Sequence, residues 1–291
     1  MGARDRGEPV AQPAAILTRR FIKGIQETGE GIVALALEKE QLKVIAAIPA
    51  YNEEKYIAAV VKKTAIYVDE VYVIDDGSTD RTVQRARAAG ATVISHPENK
   101  GKGEALNTAF ELARDLQPEV LVLLDGDNQH DADEIPLLLD QVMNNGCDMV
   151  VGSRFLRKNG IPAYRQLGQH VLTITTNLGS GIRLTDSQSG FRAFSWAAVR
   201  QMRFAETGLS VESEMQFLAG RKGFQVSEVP IVTNYDDEVK RSPVVHGVGV
   251  LLRVIGLTLR SYLSQSNAKG ECMVSRDDRS IVSSGSLRHQ L

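Results

Sequence analysis

Short apolar runs that break straight into polar loops constrain this chain more than any other feature. Val44 to Ile48 leads into "PAYNEE", Val71 to Ile74 into "DDGSTD", Val120 to Leu124 into "DGDNQHD", and "DMVV" at 148–151 into "GSRF"; "ATVIS" at 91–95 is a fifth run. Between them apolar residues fall at helical spacing, as at Ile57, Val60, Val61, Thr64 and Ala65, and again over 79–89, 103–115 and 132–145. Strands that are apolar on both faces must be covered on both. Their alternation with helices predicts an α/β architecture, a mostly parallel, Rossmann-like sheet flanked by helices. Ligands of such sheets bind beyond the carboxyl ends of the strands, where these four loops gather.

From about residue 152 the pattern is mixed. Helices are expected near 165–178, 195–202 and 211–222, strands at "GFRAF" and "QVSEVPI", then a last amphipathic segment. The whole of 43–263 reads as one domain. Residues 1–42 read as a partly helical extension, and 264–291, rich in Ser, Arg and Asp, as a disordered tail. A net charge of −2 gives no global field to recruit nucleic acid, so any anion site has to be local. Cys147 and Cys272 lack metal-like spacing and suggest a reducing, intracellular setting. No signal-peptide pattern and no run of ~20 apolar residues occurs in the sequence, so a soluble protein is expected.

The most specific chemistry follows the fourth run. Asp125 and Asp127 are two apart, so in extended geometry both side chains emerge on one side, with Gly126 letting the backbone turn or approach a ligand. Two such carboxylates repel, and one resists ionising unless a cation sits between them. A hard divalent ion, Mg²⁺ or Mn²⁺, prefers oxygen ligands and shares them with substrate phosphates; Gln129 offers another carbonyl oxygen. The alternative is a loop using Asp as a helix cap, a role that Asp131 fits.

The other loops are ambiguous alone. Pro49 and the Tyr51 ring are placed to meet a flat base, with Glu53 capping the next helix; a plain helix start would use the same residues. Either Asp75 or Asp76 accepts a base N–H, with Asp76 favoured, and Ser78 is expected to cap a helix starting near Thr79. "NKGKGEA" fits no phosphate-loop pattern and reads better as a tight turn before a helix.

Taken in order, "IPAYNEE", "VIDDGSTDRT", "NKGKGEALNTAF", "LLDGDNQHD", "VGSRF" and "TDSQSGFRAF" resemble the family 2 glycosyltransferases of GT-A fold, most closely the polyprenyl-phosphate (dolichyl-phosphate) sugar synthases, over about residues 43–262. The resemblance implies a nucleotide-diphospho-sugar donor, a divalent metal and inversion at the anomeric carbon. It implies that Pro49, Tyr51, Glu53 and Asp76 hold the nucleoside and that Asp125, Asp127 and Gln129 bind the metal bridging the diphosphate. Lys240 and Arg241 match a basic loop that folds over the donor, though alone they could be a solvated, mixed-charge loop.

The acceptor divides the subfamilies. A sugar hydroxyl needs a general base, whereas a phosphate monoester is already an oxyanion and needs cations to position it. Arg154 and Arg165 match positions where the lipid-phosphate synthases place phosphate-binding arginines, and planar bidentate donors suit that task. Arg154 could equally pair with a sheet-end carboxylate, Arg165 sit on an exposed helix face, and Arg192 pair with Asp186. His130 and His246 read as hydrogen-bonding loop residues. Glu212 and Glu214 occupy the region where hydroxyl-acceptor relatives keep a base, but the "E-D" followed by Q-x-x-R-W of processive polysaccharide synthases is absent. Pocket lining or helix capping remains open for both. Residues 244–263 place Arg253 and Arg260 on one helical face and Val250, Leu251, Val254, Thr258, Leu259 and Tyr262 on the other. This suits an interfacial helix or a last helix packed on its own domain. The resulting expectation is hexosyl transfer to a polyprenyl phosphate by a peripheral protein on the cytoplasmic face of a membrane. A hydroxyl acceptor on a soluble molecule or growing glycan is the alternative.

Overall fold

The computed structural model describes residues 43–157, 163–208, 210–233, 252–256 and 258, with residues 163–165 given by their backbone. The expected extension at 1–42 and the expected tail at 264–291 lie outside these residues.

Seven strands form one sheet: β1 (Val44–Ala50), β2 (Glu70–Asp75), β3 (Thr92–Ser95), β4 (Val120–Leu123), β5 (Met149–Ser153), β6 (Arg192–Ser195) and β7 (Val226–Pro230), in the order β3-β2-β1-β4-β6-β5-β7. All neighbours pair in parallel except β6, which runs antiparallel between β4 and β5. The helices are α1 (Ile57–Thr64), α2 (Thr82–Ala88), α3 (Lys102–Leu116), α4 (Ile135–Met143), α5 (Ala163–Ser180), α6 (Trp196–Gln201) and α7 (Val211–Lys222).

The continuous apolar runs are explained by two cores. Val44, Ala46 and Ile48 of β1 pack with Ile57, Val60 and Val61 of α1 and Ile135 and Leu138 of α4. Ile45 and Ala47 point the other way, toward Ala105, Leu106, Ala109 and Phe110 of α3 and Met215 of α7. Phe110 sits edge-on to Phe194 and Phe204, with ring centroids 5.2 and 4.9 Å away. Each large side chain buried in this way stabilises the fold by about 1.5–3 kcal/mol.

Two boundaries differ from the sequence reading. β1 continues through Pro49 instead of closing there. The Ala50 carbonyl accepts the Asp76 N–H on the β2 side, so Pro49 faces β4, whose ladder with β1 has already ended at Ala47; its missing N–H therefore leaves no gap. α2 begins at Thr82, not near Thr79, and Ser78 does not cap it. Asp131 does cap as expected, accepting the Asp133 N–H at 3.0 Å at the short 3-10 turn (Ala132–Glu134) that opens into α4.

Candidate active site

Strand order reverses between β1 and β4, and the crevice beyond their carboxyl ends is the place for a ligand in this topology. β4 delivers Asp125 and Asp127 there, both half-buried. Asp127 Oδ1 accepts the Gln129 N–H at 3.0 Å across a turn in which Asn128 takes φ 62°. Burial, then the neighbouring Asp125 charge and Glu53 raise the Asp127 carboxyl to about 6. Burial also works against the charge on Asp125, but Lys102, His130 and Arg154 outweigh it and hold that carboxyl below its ordinary range. Lys102 Nζ lies 2.7 Å from Asp125 Oδ1 and 2.7 Å from Glu212 Oε1. Asp125 and Glu212 outweigh burial and keep this ammonium charged.

Gly190 backs this centre. A Cβ at that position would lie 2.5 Å from Asp125 Oδ2 and 3.0 Å from its Cγ. Gly190→Ala is therefore expected to push the carboxylate aside and lower turnover about a hundredfold, since small misplacement of a site group has costs of that order. Melting temperature should move little; a variant that melts early instead would mark Gly190 as a folding residue.

The loops after β1 and β2 are sewn together. Asn52 N–H donates to Ser78 Oγ (2.9 Å), Glu53 N–H to Thr82 Oγ1 (2.8 Å), Glu54 N–H to Asp80 Oδ2 (3.1 Å) and Thr79 N–H to Asn52 Oδ1 (2.9 Å). Ser78 thus serves a cross-loop contact. Glu53 meets α1 through its backbone carbonyl, which accepts the Tyr56 and Ile57 N–H groups; its carboxylate instead adds to the negative field on Asp127. Asp75 Oδ1 accepts the Ser78 N–H. Asp76, the favoured nucleoside contact, is buried and takes the Lys100 N–H and His96 Nδ1 on Oδ1 and the Gly101 N–H on Oδ2. "NKGKGEA" is the turn expected of it: Gly101 has φ 97° and α3 starts at Lys102. Pro49 lines the cleft beside Lys102 and Asp125, and Tyr51 lies half-buried at the β1 loop.

On the far side Arg154 is buried and paired with Asp186, Nε to Oδ2 at 2.6 Å and Nη2 to Oδ1 at 2.8 Å. Asp186 thus pairs with Arg154 rather than Arg192, whose guanidinium donates to the Ser187 and Ser189 carbonyls. Glu214 accepts the Ala205 and Glu206 N–H groups. His130 is buried and stacked on Phe191, its Nδ1 without a partner, and burial drives its imidazole down to about 4. Of Gln129 only the N–H enters a described contact at the pair. Arg165 lies in the first turn of α5 by its backbone, while Lys240, Arg241 and His246 fall outside the described residues. Lys102 escaped the sequence reading as a site residue, because a lysine opening a helix looks like ordinary surface charge.

The donor set fits a hard divalent cation: Asp125 and Asp127 are crowded enough to raise one of them, and Glu53 adds negative field. Among the described residues no group of three or more His, Cys, Asp or Glu is arranged to hold a metal alone. A cation on this pair would therefore draw further oxygens from ligand or water.

Residues 45–206 match the family model described as Glycosyl transferase family 2. The chain is 34% identical over 228 residues to an uncharacterized protein, MJ1222, of Methanocaldococcus jannaschii, covering 75% of this chain and 93% of that one. It is 30% identical over 241 residues to the UDP-N-acetylglucosamine–dolichyl-phosphate N-acetylglucosaminyltransferase of Methanococcus voltae, covering 74% and 96%. Among solved structures, glucosyl-3-phosphoglycerate synthase from Mycobacterium tuberculosis, in complex with Mn²⁺, uridine diphosphate and phosphoglyceric acid, superposes with a TM-score of 0.61. That match has 23% identity over 75% of this chain and 78% of the other.

Proposed function

The chain belongs to glycosyl transferase family 2 and is a glycosyltransferase of GT-A fold; from that premise we propose that it transfers a hexosyl unit from a UDP- or GDP-sugar to a polyprenyl phosphate. Asp125 and Asp127, with Gln129, would hold Mg²⁺ or Mn²⁺, which as a Lewis acid supplies charge neutralisation for the departing diphosphate. Pro49, Tyr51, Glu53 and Asp76 frame the nucleoside side, Asp76 by fixing the turn at Lys100 and Gly101. Lys240 and Arg241, which lie outside the described residues, are the basic residues that would meet the donor on the family resemblance.

One observation carries the choice of acceptor. Glu212, where a hydroxyl acceptor would look for its base, is ion-paired to Lys102, and Glu214 is occupied by two backbone N–H groups. Both are acceptors already engaged, which favours a nucleophile that arrives ionised, as a phosphate does. Arg165 would position it together with Arg154, the latter while its Nε and Nη2 remain on Asp186. The M. voltae relative, named as a dolichyl-phosphate N-acetylglucosaminyltransferase, supports the lipid form. A soluble phosphorylated acceptor is the second reading, favoured by the phosphoglyceric acid bound in the structural neighbour. The test is incubation with radiolabelled UDP- and GDP-sugars, Mn²⁺ and a polyprenyl phosphate; label should enter the organic phase. Label that stays aqueous on a glycan or small phosphate would overturn the lipid reading.

No helix among the described residues is long and apolar enough to cross a membrane. Contact with a membrane surface is supported by α5, where Leu167, Val171, Ile174 and Leu178 are all exposed at the spacing of one helix face. Part of the 244–263 segment behaves differently from the interfacial expectation. Val254 is buried and Thr258 Oγ1 reaches the Thr175 carbonyl (3.3 Å), so that face packs on the domain, while Leu252 and Ile255 are exposed. The double variant Leu167→Glu with Ile174→Glu should cut flotation with anionic liposomes at least tenfold at unchanged melting temperature; undiminished flotation would place the contact elsewhere.

A further inference from the structure

We propose that Lys102 is a built-in counter-cation on Asp125 that a divalent metal has to displace, so that metal binds poorly until the donor nucleotide is present. The inference rests on the reading of Asp125 and Asp127 as cation ligands. Its basis is geometric: one ammonium touches carboxylates from two elements, Asp125 at 2.7 Å after β4 and Glu212 at 2.7 Å on α7. Its place is fixed by the backbone. Gly103 N–H donates to the Thr207 carbonyl at 2.9 Å, a Cβ at Gly101 or Gly103 would overlap the Thr207 or Glu206 carbonyl, and Asp76 holds the Lys100 and Gly101 N–H groups. The start of α3 cannot slide away. On its other flank the Asp125 carboxylate lies against Gly190, which restricts its swing out of the lysine's reach.

A metal on Asp125 and this ammonium would be like charges sharing one carboxylate, and the half-buried setting screens their repulsion poorly. Among the described residues the other anchor of Lys102 is Glu212, across a cleft also lined by Pro49, Gly190 and Arg192. A donor diphosphate adds anionic oxygens to that cleft, which give the displaced ammonium a new partner beside the metal. Metal and nucleotide then strengthen each other's binding by the same factor, as linkage requires. The competing account is a purely structural ion pair, in which losing the lysine loosens the site and weakens metal binding.

The test uses the full chain, without nucleotide, titrated with MnCl₂ while free Mn²⁺ is followed by electron paramagnetic resonance. Lys102→Met should tighten Mn²⁺ binding about tenfold or more. Glu212→Gln should weaken it several-fold, because Lys102 then rests on Asp125 alone. With saturating UDP or GDP, wild type and Lys102→Met should converge. Thermal melts confirm that both variants fold. Two variants shifting in the same direction, or Lys102→Met binding Mn²⁺ no more tightly than wild type, overturns the proposal. No Mn²⁺ binding by wild type, with or without nucleotide, removes the cation reading itself, whereas failed lipid labelling alone leaves the counter-cation role standing.

Discussion

Alanine or asparagine at position 127 should abolish glycosyl transfer, by about three orders of magnitude or more, in a protein more stable than its parent at neutral pH. The loss follows from the proposed role of Asp127: removing a carboxylate that would hold the cation, whose charge neutralisation is worth about 4 kcal/mol in the transition state. The gain follows from the raised Asp127 carboxyl, near 6 in the folded protein against an ordinary 3.8. The folded state then binds the proton more tightly than the unfolded chain. Stability falls as pH rises from about 4 to 6, and the full penalty applies above 6. A two-unit shift corresponds to roughly 3 kcal/mol, and coupling to Asp125 with partial solvation reduces this to about 1–2 kcal/mol. Melting curves from pH 4 to 8 without metal should therefore separate Asp127→Asn from wild type above pH 6 and bring them together toward pH 4. Mn²⁺ added together with UDP or GDP should stabilise wild type clearly more than the variant. Equal melting at pH 7, or turnover that survives the substitution, would remove Asp127 from the centre of the site.

The sheet was legible because burial on both faces writes itself into contiguous sequence: every expected strand from Val44 to Val151 is present, and each named loop sits at a strand end. Local pattern carries no information about direction, so "GFRAF" announced a strand without announcing that β6 runs antiparallel. The carboxylate pair was legible for the same local reason, two residues apart at the end of an apolar run. Its surroundings were not. Asp186 finds Arg154 rather than Arg192, six residues away, because the chain folds back between β5 and β6. Lys102 meets Glu212 only after α3 and α7 converge. Asp76 and Ser78 sit in a loop of hydrogen-bonding residues whose partners come from a different loop. Pairings of this kind are set by topology, and spacing along the chain does not encode them.

Arg154→Ala should cost about 3–5 kcal/mol of stability, because it strands a carboxylate that has no access to water. Asp186 is fully buried, and Arg154 engages it through Nε, Nη2 and its own N–H, the last at 3.1 Å. Burial alone would raise the Asp186 carboxyl, yet the arginine holds it below its ordinary range. A depressed folded-state carboxyl contributes stability that is present above the unfolded value and lost as pH falls through the folded one. In Arg154→Ala the sign reverses: the stranded acid prefers its proton, so the gap in melting temperature from wild type should shrink as pH falls toward 4. At pH 7 that gap should be about 10 °C for a domain of this size. Lysine does not reproduce two parallel hydrogen bonds, so Arg154→Lys should recover only part of the loss. The double variant Arg154→Met with Asp186→Leu separates structure from function: replacing both charges should recover most of the stability, and if Arg154 also positions the acceptor phosphate, the acceptor KM should stay raised at least tenfold. A double variant with normal melting and normal KM would confine Arg154 to holding the β5–β6 connection together.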